Sequence, residues 1–346
     1  NYEKYLLPLS YFGFYHKTIV IDHKRQEKYF VFIDFDGKIK HDSDWQLFNS
    51  QILNLAAGQA EFKVTTQPQS NFTKEAYLKA IEKAKRYIFE GDIYQVNLSH
   101  QIRCKYQGSS FEAYQKLRAI SPAPFSVFLS VEYAGQKAAI LSSSPERFIK
   151  KKGSQIITQP IKGTIHRGIN DKDDKKQGRS LFRSLKNRAE LLMIIDLERN
   201  DLGRIAKAAS VKVKKLMEVQ KFKYLFHLVS TITAKLPKKI TFGQIFAAMF
   251  PGGSITGAPK IRAMEIIKEL ETVERNVYTG ALGYFGFNQD FDFNIAIRTI
   301  YLAGDFLYFH VGGGIVADSD PESEWEETKV KAAGILAALE QDFPHE

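Results

Sequence analysis

The segment at residues 142–168, SSSPERFIKKKGSQIITQPIKGTIHRG, strongly constrains how this chain can fold. Short apolar runs on either side of a Lys-Gly-Ser turn predict a β-hairpin with strands over residues 147–150 and 155–161. Glu146 precedes the first strand, and Lys162 follows the second. Because a hairpin brings its two ends together, we expect this acid and this amine to share one pocket. A lysine before Gly-Thr also suits an ordinary surface position, and these residues alone leave both interpretations open.

Length and composition indicate a globular protein with a substantial core. The chain has 346 residues, of which 44% are hydrophobic and 25% are charged, a size that permits one large domain or two smaller ones. No apolar run approaches the roughly 18 residues of a membrane helix, and the first residues show no signal-peptide pattern. The single cysteine, Cys104, cannot form an internal disulfide. We therefore predict a cytoplasmic protein without membrane contact.

The net charge of +10 raises the alternative of a nucleic-acid-binding or scaffold protein. The lysine clusters are scattered over many segments, and no helix-turn-helix or aromatic-interleaved pattern accompanies them. The pattern favours solvated lysine faces and no nucleic acid, with a mild attraction for an anionic small molecule.

Residues 1–70 are predicted to form a strand-rich segment of the same fold as residues 71–346. The runs KTIVID and KYFVFIDF alternate apolar and polar residues on either side of HKRQE, which indicates a hairpin. A turn is expected at residues 34–37. Residues 57–71 contain few large apolar groups and are typical of a connector.

The middle of the chain predicts alternating helices and strands. A helix is expected from Thr73, whose hydroxyl suits an N-cap, to a stop at Gly91. Residues 169–180 are polar and predict a loop, and residues 185–209 predict a long helix whose LLMIIDL centre is apolar on all sides and hence buried. Further strands are predicted over residues 93–102, 124–133, 137–144 and 226–236, and further helices over residues 110–120 and 241–250.

A carboxylate on that long helix must be paired, hydrogen-bonded or bound to a metal if it is buried. Asp196 can be satisfied by Arg188, by Arg199 or by a backbone amide, whereas Glu190 is a candidate metal ligand. His227 lies among apolar residues of a predicted strand, where a histidine is usually a buried core residue.

The loop over residues 251–260, PGGSITGAPK, leads into another predicted helix. Ser254 or Thr256 can cap this helix, and Pro259 suits its first turn. A glycine-rich backbone at a helix start can bind an anion. The loop is not of the Walker type, because Ala-Pro separates its last glycine from the lysine.

The clearest hairpin pairs residues 291–302 with residues 306–318. Arg298 lies in the first strand among apolar neighbours, so we expect it to pair with an anion. Three successive glycines at residues 312–314 weaken the second strand, which indicates that some group approaches its backbone closely.

A final helix is predicted after Pro321. Acidic residues in its first turns are commonly dipole compensation. Glu324 and Glu327 are three residues apart and share one face, a spacing that also suits a cation.

Over residues 73–339 these motifs together resemble the chorismate-binding enzymes, which include anthranilate, aminodeoxychorismate, isochorismate and salicylate synthases. The resemblance implies an α/β (α+β) fold in which two mostly antiparallel sheets form a large sandwich with helices on the outside. Family members tend to carry a longer N-terminal region, so the resemblance also implies that this region is shortened here, and it gives no support for tryptophan regulation. The matching motifs are GDIYQVNLS, SSSPERF, PIKGT, AELLMIIDLERNDLGRI, HLVSTITA, PGGSITGAPKIRAMEII, YTGALGYFG, IAIRT and GGGIVADSDPESEWEET.

The resemblance also implies roles for individual residues. Lys162 is the expected nucleophile and Glu146 the general acid, and His227 matches a position linked to catalysis in the anthranilate branch. Mg²⁺ is expected on Glu190 and Glu327, with Glu324 as a further or water-bridged ligand. The residues expected to contact the substrate are Gly163, Thr164, Ser254, Thr256, Tyr278, Arg298, Gly312, Gly313 and Gly314.

Within the family, a lysine in PIKGT is typical of the aminodeoxychorismate branch, whereas anthranilate synthases usually have alanine there. The expected reaction converts chorismate and ammonia to 4-amino-4-deoxychorismate for folate synthesis, with ammonia from a glutamine amidotransferase partner. An amine nucleophile must be neutral, whereas roughly one free lysine in 2,500 is neutral at pH 7. The alternatives are an anthranilate synthase, an isochorismate or salicylate synthase, and a basic protein without catalysis.

Overall fold

The first strands of the chain form a hairpin of their own. The computed structural model describes residues 7–35, 43, 45–47, 50, 61–133, 135–222 and 225–344. Strands β1 (Lys17–Asp22) and β2 (Glu27–Phe32) pair antiparallel, as their alternation predicts. They belong to a unit spanning Pro8–Ala60, and Asn1–Leu7 with Glu61–Glu346 form a second unit. The turn expected at residues 34–37 lies partly outside the described residues, and the assignment of residues 1–70 to the larger fold stays a prediction.

The second unit is built on two sheets whose neighbouring strands pair antiparallel. In the first sheet the order is β13-β5-β17-β16-β7-β6, and two short strands, β3 and β4, also pair with β5. Its strands are β3 (Lys63–Val64), β4 (Gln69–Ser70), β5 (Gln95–Gln107), β6 (Phe125–Tyr133), β7 (Gln136–Ser144), β13 (Gly257–Ala258), β16 (Thr299–Ala303) and β17 (Phe306–Ile315).

In the second sheet the order is β10-β12-β9-β8-β15-β14, with β11 also paired to β12. The two sheets and the flanking helices confirm the predicted fold class. The strands of this sheet are β8 (Arg147–Lys152), β9 (Gln155–Gln159), β10 (Ile161–His166), β11 (Lys212–Lys221), β12 (Leu225–Lys235), β14 (Ala281–Phe285) and β15 (Phe291–Ile295).

Helices cover one face of each sheet through separate apolar clusters. Around the first sheet these are α1 (Lys74–Phe89), α2 (Ser110–Ile120), α6 (Lys260–Leu270) and α7 (Pro321–Leu339). Around the second sheet they are α3 (Asp171–Arg183), α4 (Leu185–Gly203) and α5 (Phe242–Met249). Leu282 of β14 packs against an apolar cluster of the first sheet that includes Tyr301 and Tyr308, so the two sheets are in contact there. None of the described helices is both long and apolar enough to cross a membrane.

The helix caps follow local sequence chemistry. Thr73 accepts a hydrogen bond from the Ala76 N–H and caps α1, and Gly91 follows its end with a φ of +84°. The loop predicted at residues 169–180 is wrong, because α3 occupies that stretch. Asn170 caps α3, acidic residues fill its first turn, and the buried Leu181 anchors it to the core. The polar composition of this stretch led to the prediction of a loop although its capping residues favour a helix.

Two predicted strands are divided in the structure. The strand predicted over residues 155–161 ends at Gln159, because Pro160 has no N–H to continue the ladder, and β10 then pairs with β12. Lys162 therefore lies inside a third strand. The strand predicted over residues 291–302 breaks between β15 and β16, which belong to different sheets. Arg298 lies at this break with a φ of +49°, so its predicted position within a strand is wrong.

Other boundaries also differ from the predictions. The connector predicted at residues 57–71 contains β3 and β4, and Phe62 beside them is buried because it packs into the core of the first sheet. Helix α4 ends at Gly203, short of the predicted residue 209. It is also buried on one side only: Asp196 is exposed and pairs with Arg199 at 2.8 Å, so the predicted burial on all sides is wrong.

Substitution of Ile149 tests the core of the second sheet. Its side chain is fully buried among the apolar residues that α4 and α5 cover, so Ile149→Ala leaves a cavity. We expect a loss of about 2–5 kcal/mol in the free energy of unfolding, measured by chemical denaturation. The matched variant Ile169→Ala removes an exposed side chain and should change that free energy by no more than about 0.5 kcal/mol. Equal losses in the two variants would contradict this placement of the core.

Candidate active site

Glu146 lies between β7 and β8, where the chain passes from the first sheet to the second. Its carboxyl group is buried, and Oε1 accepts a hydrogen bond of 3.3 Å from the Ile161 N–H. Burial raises the pKa of Glu146 to about 7, although the Ser254 hydroxyl, the Ile161 N–H and the Lys162 ammonium act in the opposite direction. A carboxyl group with this pKa is partly protonated near neutral pH and can act as an acid.

Lys162 is the second residue of β10, and its side chain is only 13% exposed. A register shift between Lys162 and Thr164 turns this part of the strand. Gly163 makes the shift with a φ of +73°, and a Cβ atom there would come within 2.8 Å of Leu181 and Asn187. Lys162 Nζ lies 3.7 Å from Glu190 Oε2, whose side chain is also 13% exposed. The charge of Lys162 also acts on the Glu146 carboxyl. The amine and the acid that the hairpin spacing predicted together therefore share one pocket.

The glycines of β17 leave room between the two sheets. A Cβ atom on Gly314 would collide with Gln95 Nε2 and would lie 3.3 Å from Lys162 Nζ. A Cβ atom on Gly312 would collide with the backbone oxygen of Leu98 in the neighbouring strand. On Gly313 it would lie 3.0 Å from Glu324 Oε2. The close approach to the β17 backbone that the sequence predicted is therefore present. The approaching groups are the Gln95 side chain, the Lys162 amine, the Glu324 carboxylate and the backbone of β5.

Three carboxylates converge on Lys186. Its Nζ lies 3.4 Å from Glu324 Oε1, and its pKa is raised: burial lowers the value, but the charges of Glu324, Glu190 and Glu327 raise it further. Glu327 also pairs with Lys331 at 2.7 Å. These are the three residues that the sequence assigned to Mg²⁺.

The donor set fits a hard cation, because it consists of carboxylate oxygens. Among the described residues, Glu324 Oε2 is buried without a hydrogen-bond partner, and it would lie 3.0 Å from a Cβ atom on Gly313. Within the described part of the chain, no group of three or more histidine, cysteine, aspartate or glutamate side chains already stands in a metal-binding arrangement. The magnesium site therefore stays a prediction.

Arg298 supplies a buried positive charge. Burial lowers the pKa of its guanidinium, and the carboxyl of Glu146 raises it. Its charge also acts on His227, so the two side chains share this region. Arg298 forms no ion pair with the residues that the structure describes. A buried guanidinium without an acidic partner indicates a site for an anion.

His227 is a neutral, buried residue beside the pocket. Burial and the charge of Arg298 lower its pKa to about 3, against which the Gly163 backbone acts. Its Nδ1 lies 2.9 Å from the Thr164 hydroxyl, across the β10–β12 pair. A histidine with this pKa carries no proton to donate as imidazolium, so its contribution here is to hold Thr164.

The loop over residues 251–260 holds two predicted contacts in different ways. The Ser254 hydroxyl is buried and makes no hydrogen bond, yet it lies near enough to Glu146 to lower that pKa. The Thr256 hydroxyl donates to the Gly252 oxygen at 2.9 Å and is therefore part of the loop itself. Neither residue caps α6, so that prediction is wrong: Pro259 occupies the N-cap position without a side-chain hydrogen bond.

Tyr278 is buried on the same side of the first sheet as Gln101. Its ring stacks on His310 with centroids 4.9 Å apart, and Arg275 lies 5.6 Å from the ring centroid. The Asn97 side chain lies close enough to the Tyr278 hydroxyl to lower its pKa, which burial raises overall.

Sequence reasoning missed several residues of this pocket. Gln95 is fully buried, and neither its amide oxygen nor its amide nitrogen has a partner; Asn97, two residues on, has an unpartnered amide nitrogen. Lys331 donates to the Gly312 oxygen at 2.7 Å. The signal for the amides was present, since the polar pair alternates with apolar residues in the half of the strand that is buried on both faces.

Comparisons with known proteins agree with this geometry. The chain is 43% identical to aminodeoxychorismate synthase component 1 of Escherichia coli (strain K12), over 97% of this chain and 72% of that protein. It is 37% identical to the protein of the same name from Bacillus subtilis (strain 168), over 96% of this chain and 71% of that protein.

A solved structure, that of anthranilate synthase component I from Streptococcus pneumoniae TIGR4, matches with a TM-score of 0.79. The two sequences are 32% identical over 93% of this chain and 72% of that chain. The family described as chorismate binding enzyme matches residues 2–337. The chain therefore belongs to the chorismate-binding enzyme family.

Proposed function

We propose that this member of the family converts chorismate and ammonia to 4-amino-4-deoxychorismate, as an aminodeoxychorismate synthase component 1. The relatives from Escherichia coli and Bacillus subtilis support this assignment by name and by their match to nearly the whole chain. The observation that carries it is Lys162, a shielded amine that stands between Glu146 and Glu190 rather than in solvent. This placement supports a chemical role over a surface role.

In the first step, the Lys162 amine attacks ring carbon C2 of chorismate. The ring double bond shifts, and the bond between C4 and its hydroxyl oxygen breaks. Hydroxide is a poor leaving group, so the Glu146 carboxyl donates its proton and the oxygen leaves as water. Because the pKa of Glu146 is about 7, the acid form is present below that pH and is lost as the pH rises through it.

In the second step, ammonia attacks C4 and the bond between C2 and the lysine nitrogen breaks. The Glu146 carboxylate takes back a proton from nitrogen, which returns both side chains to their starting forms. The enolpyruvyl group stays on the ring throughout. The sum is chorismate plus ammonia giving 4-amino-4-deoxychorismate plus water.

The substrate carries two carboxylates, which the pocket can hold at separate points. Arg298 offers an unpaired guanidinium near Glu146, and the Tyr278 hydroxyl and the backbone of Gly312, Gly313 and Gly314 offer further contacts. Ser254 has a free hydroxyl beside Glu146. Gly163 and Thr164 follow the nucleophile directly and would line the ring, whereas Thr256 serves the loop.

Mg²⁺ is the proposed cofactor, held by Glu190 and Glu327 with Glu324 beside them. When bound, it would neutralise the ring carboxylate, withdraw electron density from the ring and compete with Lys162 for Glu190. Lys186 and Lys331 meanwhile keep the carboxylates in place by pairing with Glu324 and Glu327. Lys162 Nζ lies 3.7 Å from Glu190 Oε2, and both side chains are shielded from solvent, so a cation bound by Glu190 would also lie beside the attacking amine.

The partner is proposed from the same assignment. The name component 1 implies a second component, and for an aminating enzyme the natural partner is a glutamine amidotransferase that supplies ammonia. We place this complex in the cytoplasm.

Product analysis tests the proposed function. Incubation of the protein with chorismate, Mg²⁺ and an ammonium salt should give 4-amino-4-deoxychorismate, identified by chromatography and mass spectrometry. Fluorescent anthranilate would show the anthranilate branch instead, in agreement with the neighbour from Streptococcus pneumoniae. Isochorismate or salicylate would show that water is the nucleophile.

Replacement of Lys162 tests covalent catalysis. Lys162→Ala removes the attacking amine, so we expect formation of aminodeoxychorismate to fall by about a thousandfold or more. Mass spectrometry of the quenched enzyme should show a chorismate-derived adduct on the native chain and none on the variant. Lys152→Ala removes an exposed lysine from the same hairpin and serves as the matched control. A Lys162→Ala enzyme with unimpaired turnover would rule out the covalent step.

Replacement of the carboxylates tests the metal site. Calorimetry with Mg²⁺ in the presence of chorismate, without ammonium, should show binding to the native chain. We expect Glu190→Gln and Glu327→Gln each to weaken it at least tenfold, about 1.4 kcal/mol. Glu326→Gln changes an exposed neighbour on α7 that pairs with Lys329, and it should bind Mg²⁺ like the native chain. Undiminished affinity in either of the first two variants would remove that residue from the ligand set.

A further inference from the structure

A second buried carboxyl group lies outside the set of residues that the reaction uses. Glu198 is on α4, two turns beyond Glu190, and its side chain is 4% exposed. Its Oε2 lies 2.8 Å from the Thr158 hydroxyl oxygen in β9. The same Thr158 oxygen lies 2.7 Å from the backbone oxygen of Phe148 in β8.

These two distances allow two hydrogen-bond arrangements, and the protonation of Glu198 decides between them. A threonine hydroxyl has one hydrogen to donate, and a backbone oxygen can only accept. If Thr158 donates to the Phe148 oxygen, Glu198 must donate to Thr158, and only the protonated carboxyl can do so. An ionised Glu198 would draw the hydroxyl hydrogen to itself and leave the Phe148 oxygen without this bond.

The surroundings of Glu198 agree with the neutral form. The charged or titratable groups that act on it are Asp201 on its own helix, Lys260 of α6 and Glu146 before β8. Lys260 is already paired with Asp201, so it cannot fully compensate a second charge. Burial, together with the charges of Glu146 and Asp201, raises the pKa of Glu198 to about 8, against which Thr158 and Lys260 act.

We propose that Glu198 is a positioning residue of the active site that works as a neutral carboxylic acid and ties β8 to β9 through Thr158. Two residues before Phe148 lies Glu146, and three residues after Thr158 lies Ile161, whose N–H holds the Glu146 carboxyl. The chain of hydrogen bonds therefore fixes both sides of the bond that orients the general acid.

Ionisation of Glu198 would act on the site in two ways. The tie between the strands would be broken at Phe148, and a negative charge would appear near Glu146. The 3₁₀ turn Gly253–Ile255 lies between the two carboxyl groups. A Cβ atom on Gly253 would lie 3.7 Å from Glu198 Cγ, and the next residue, Ser254, lies beside Glu146. The proposal rests on the proposed function only for the role of Glu146 as acid.

The protonation of Glu198 can be tested without any reaction. Its pKa rises from an ordinary 4.5 to about 8 on folding, so the folded chain holds a proton that the unfolded chain has lost, and stability falls as the pH rises between these values. Glu198→Gln cannot ionise but keeps a donor for Thr158. We expect the unfolding temperature of this variant to gain on that of the native protein as the pH rises from 5 to about 8, and then to keep a constant lead.

Asp196→Asn is the matched control, because it removes an exposed carboxylate from the same helix. Its unfolding temperature should follow the pH dependence of the native protein. A constant difference between Glu198→Gln and the native protein over this pH range would show that Glu198 is ionised in the folded chain and would overturn the proposal.

The positioning role is tested by the pH dependence of chorismate consumption at a fixed concentration of free ammonia. In the native enzyme, activity should fall at alkaline pH with two ionisations, those of Glu146 and Glu198. In Glu198→Gln the fall should follow one ionisation. Consumption of chorismate is followed rather than one product, so a different product would refute the proposed function without affecting this test. An alkaline fall with the same order in both enzymes would overturn the positioning role.

Variants of Thr158 keep the proposal falsifiable if Glu198→Gln fails to fold. Thr158→Val removes the bridging hydroxyl and should lower turnover at neutral pH at least tenfold, whereas Thr158→Ser restores the hydroxyl and should recover most of it. Equal turnover of the valine and serine variants would show that the bridge does not position the site.

Discussion

The bare backbone at residues 312–314 is the constraint on which the site depends. Side chains there would strike β5 on one side and the Glu324 carboxylate or the Gln95 amide on the other. Glycine weakens a strand, yet here β17 is paired along its full length with β5, which offsets that loss. Strand β17 stays regular but carries no side chains at these three positions. Lys162 from β10 and the carboxylates of α7 can therefore both lie close to its backbone.

Charge balance explains how so many ionisable groups can share that space. Glu190, Glu324 and Glu327 would repel one another at close range, but Lys162, Lys186 and Lys331 each lie against one of them. Glu146 has the Lys162 charge near it but no close ion pair, so burial dominates and raises its pKa to about 7, which leaves the carboxyl partly protonated at neutral pH. One pocket thus holds Glu146, which burial favours in its neutral form, beside three carboxylates that each have a lysine partner.

Much of this arrangement could be predicted from the sequence, and the misses have physical causes. Alternating runs and capping residues predicted most elements, the hairpin spacing predicted that Glu146 and Lys162 share a pocket, and motif resemblance added Glu190 to the site. Helix α3 was missed because Leu181 is its one buried apolar residue. A single such residue in a polar stretch produces no helical pattern of apolar positions. The break at Arg298 was missed because apolar and polar residues alternate on both sides of it, as in one continuous strand. The two sides are separate strands only because β15 and β16 pair in different sheets. Gln95 and Glu198 were missed because their properties depend on neighbours that are distant in the sequence. Whether an amide lacks a hydrogen-bond partner, or an acid is neutral, follows from the groups packed around it.

The fold by itself does not decide which reaction is catalysed. The anthranilate synthase structure shares this architecture with a TM-score of 0.79 at 32% identity, so the sheets and helices serve more than one member of the family. What differs between branches must lie in a few side chains that face the ring. We propose Lys162 as such a residue, because an alanine at the same position could neither attack the ring nor pair with Glu190. A Cβ atom on Gly314 would lie 3.3 Å from Lys162 Nζ, so the bare backbone there leaves the amine room without a tight contact. The chemistry proposed for this chain therefore depends jointly on one lysine that is present and one side chain that is absent.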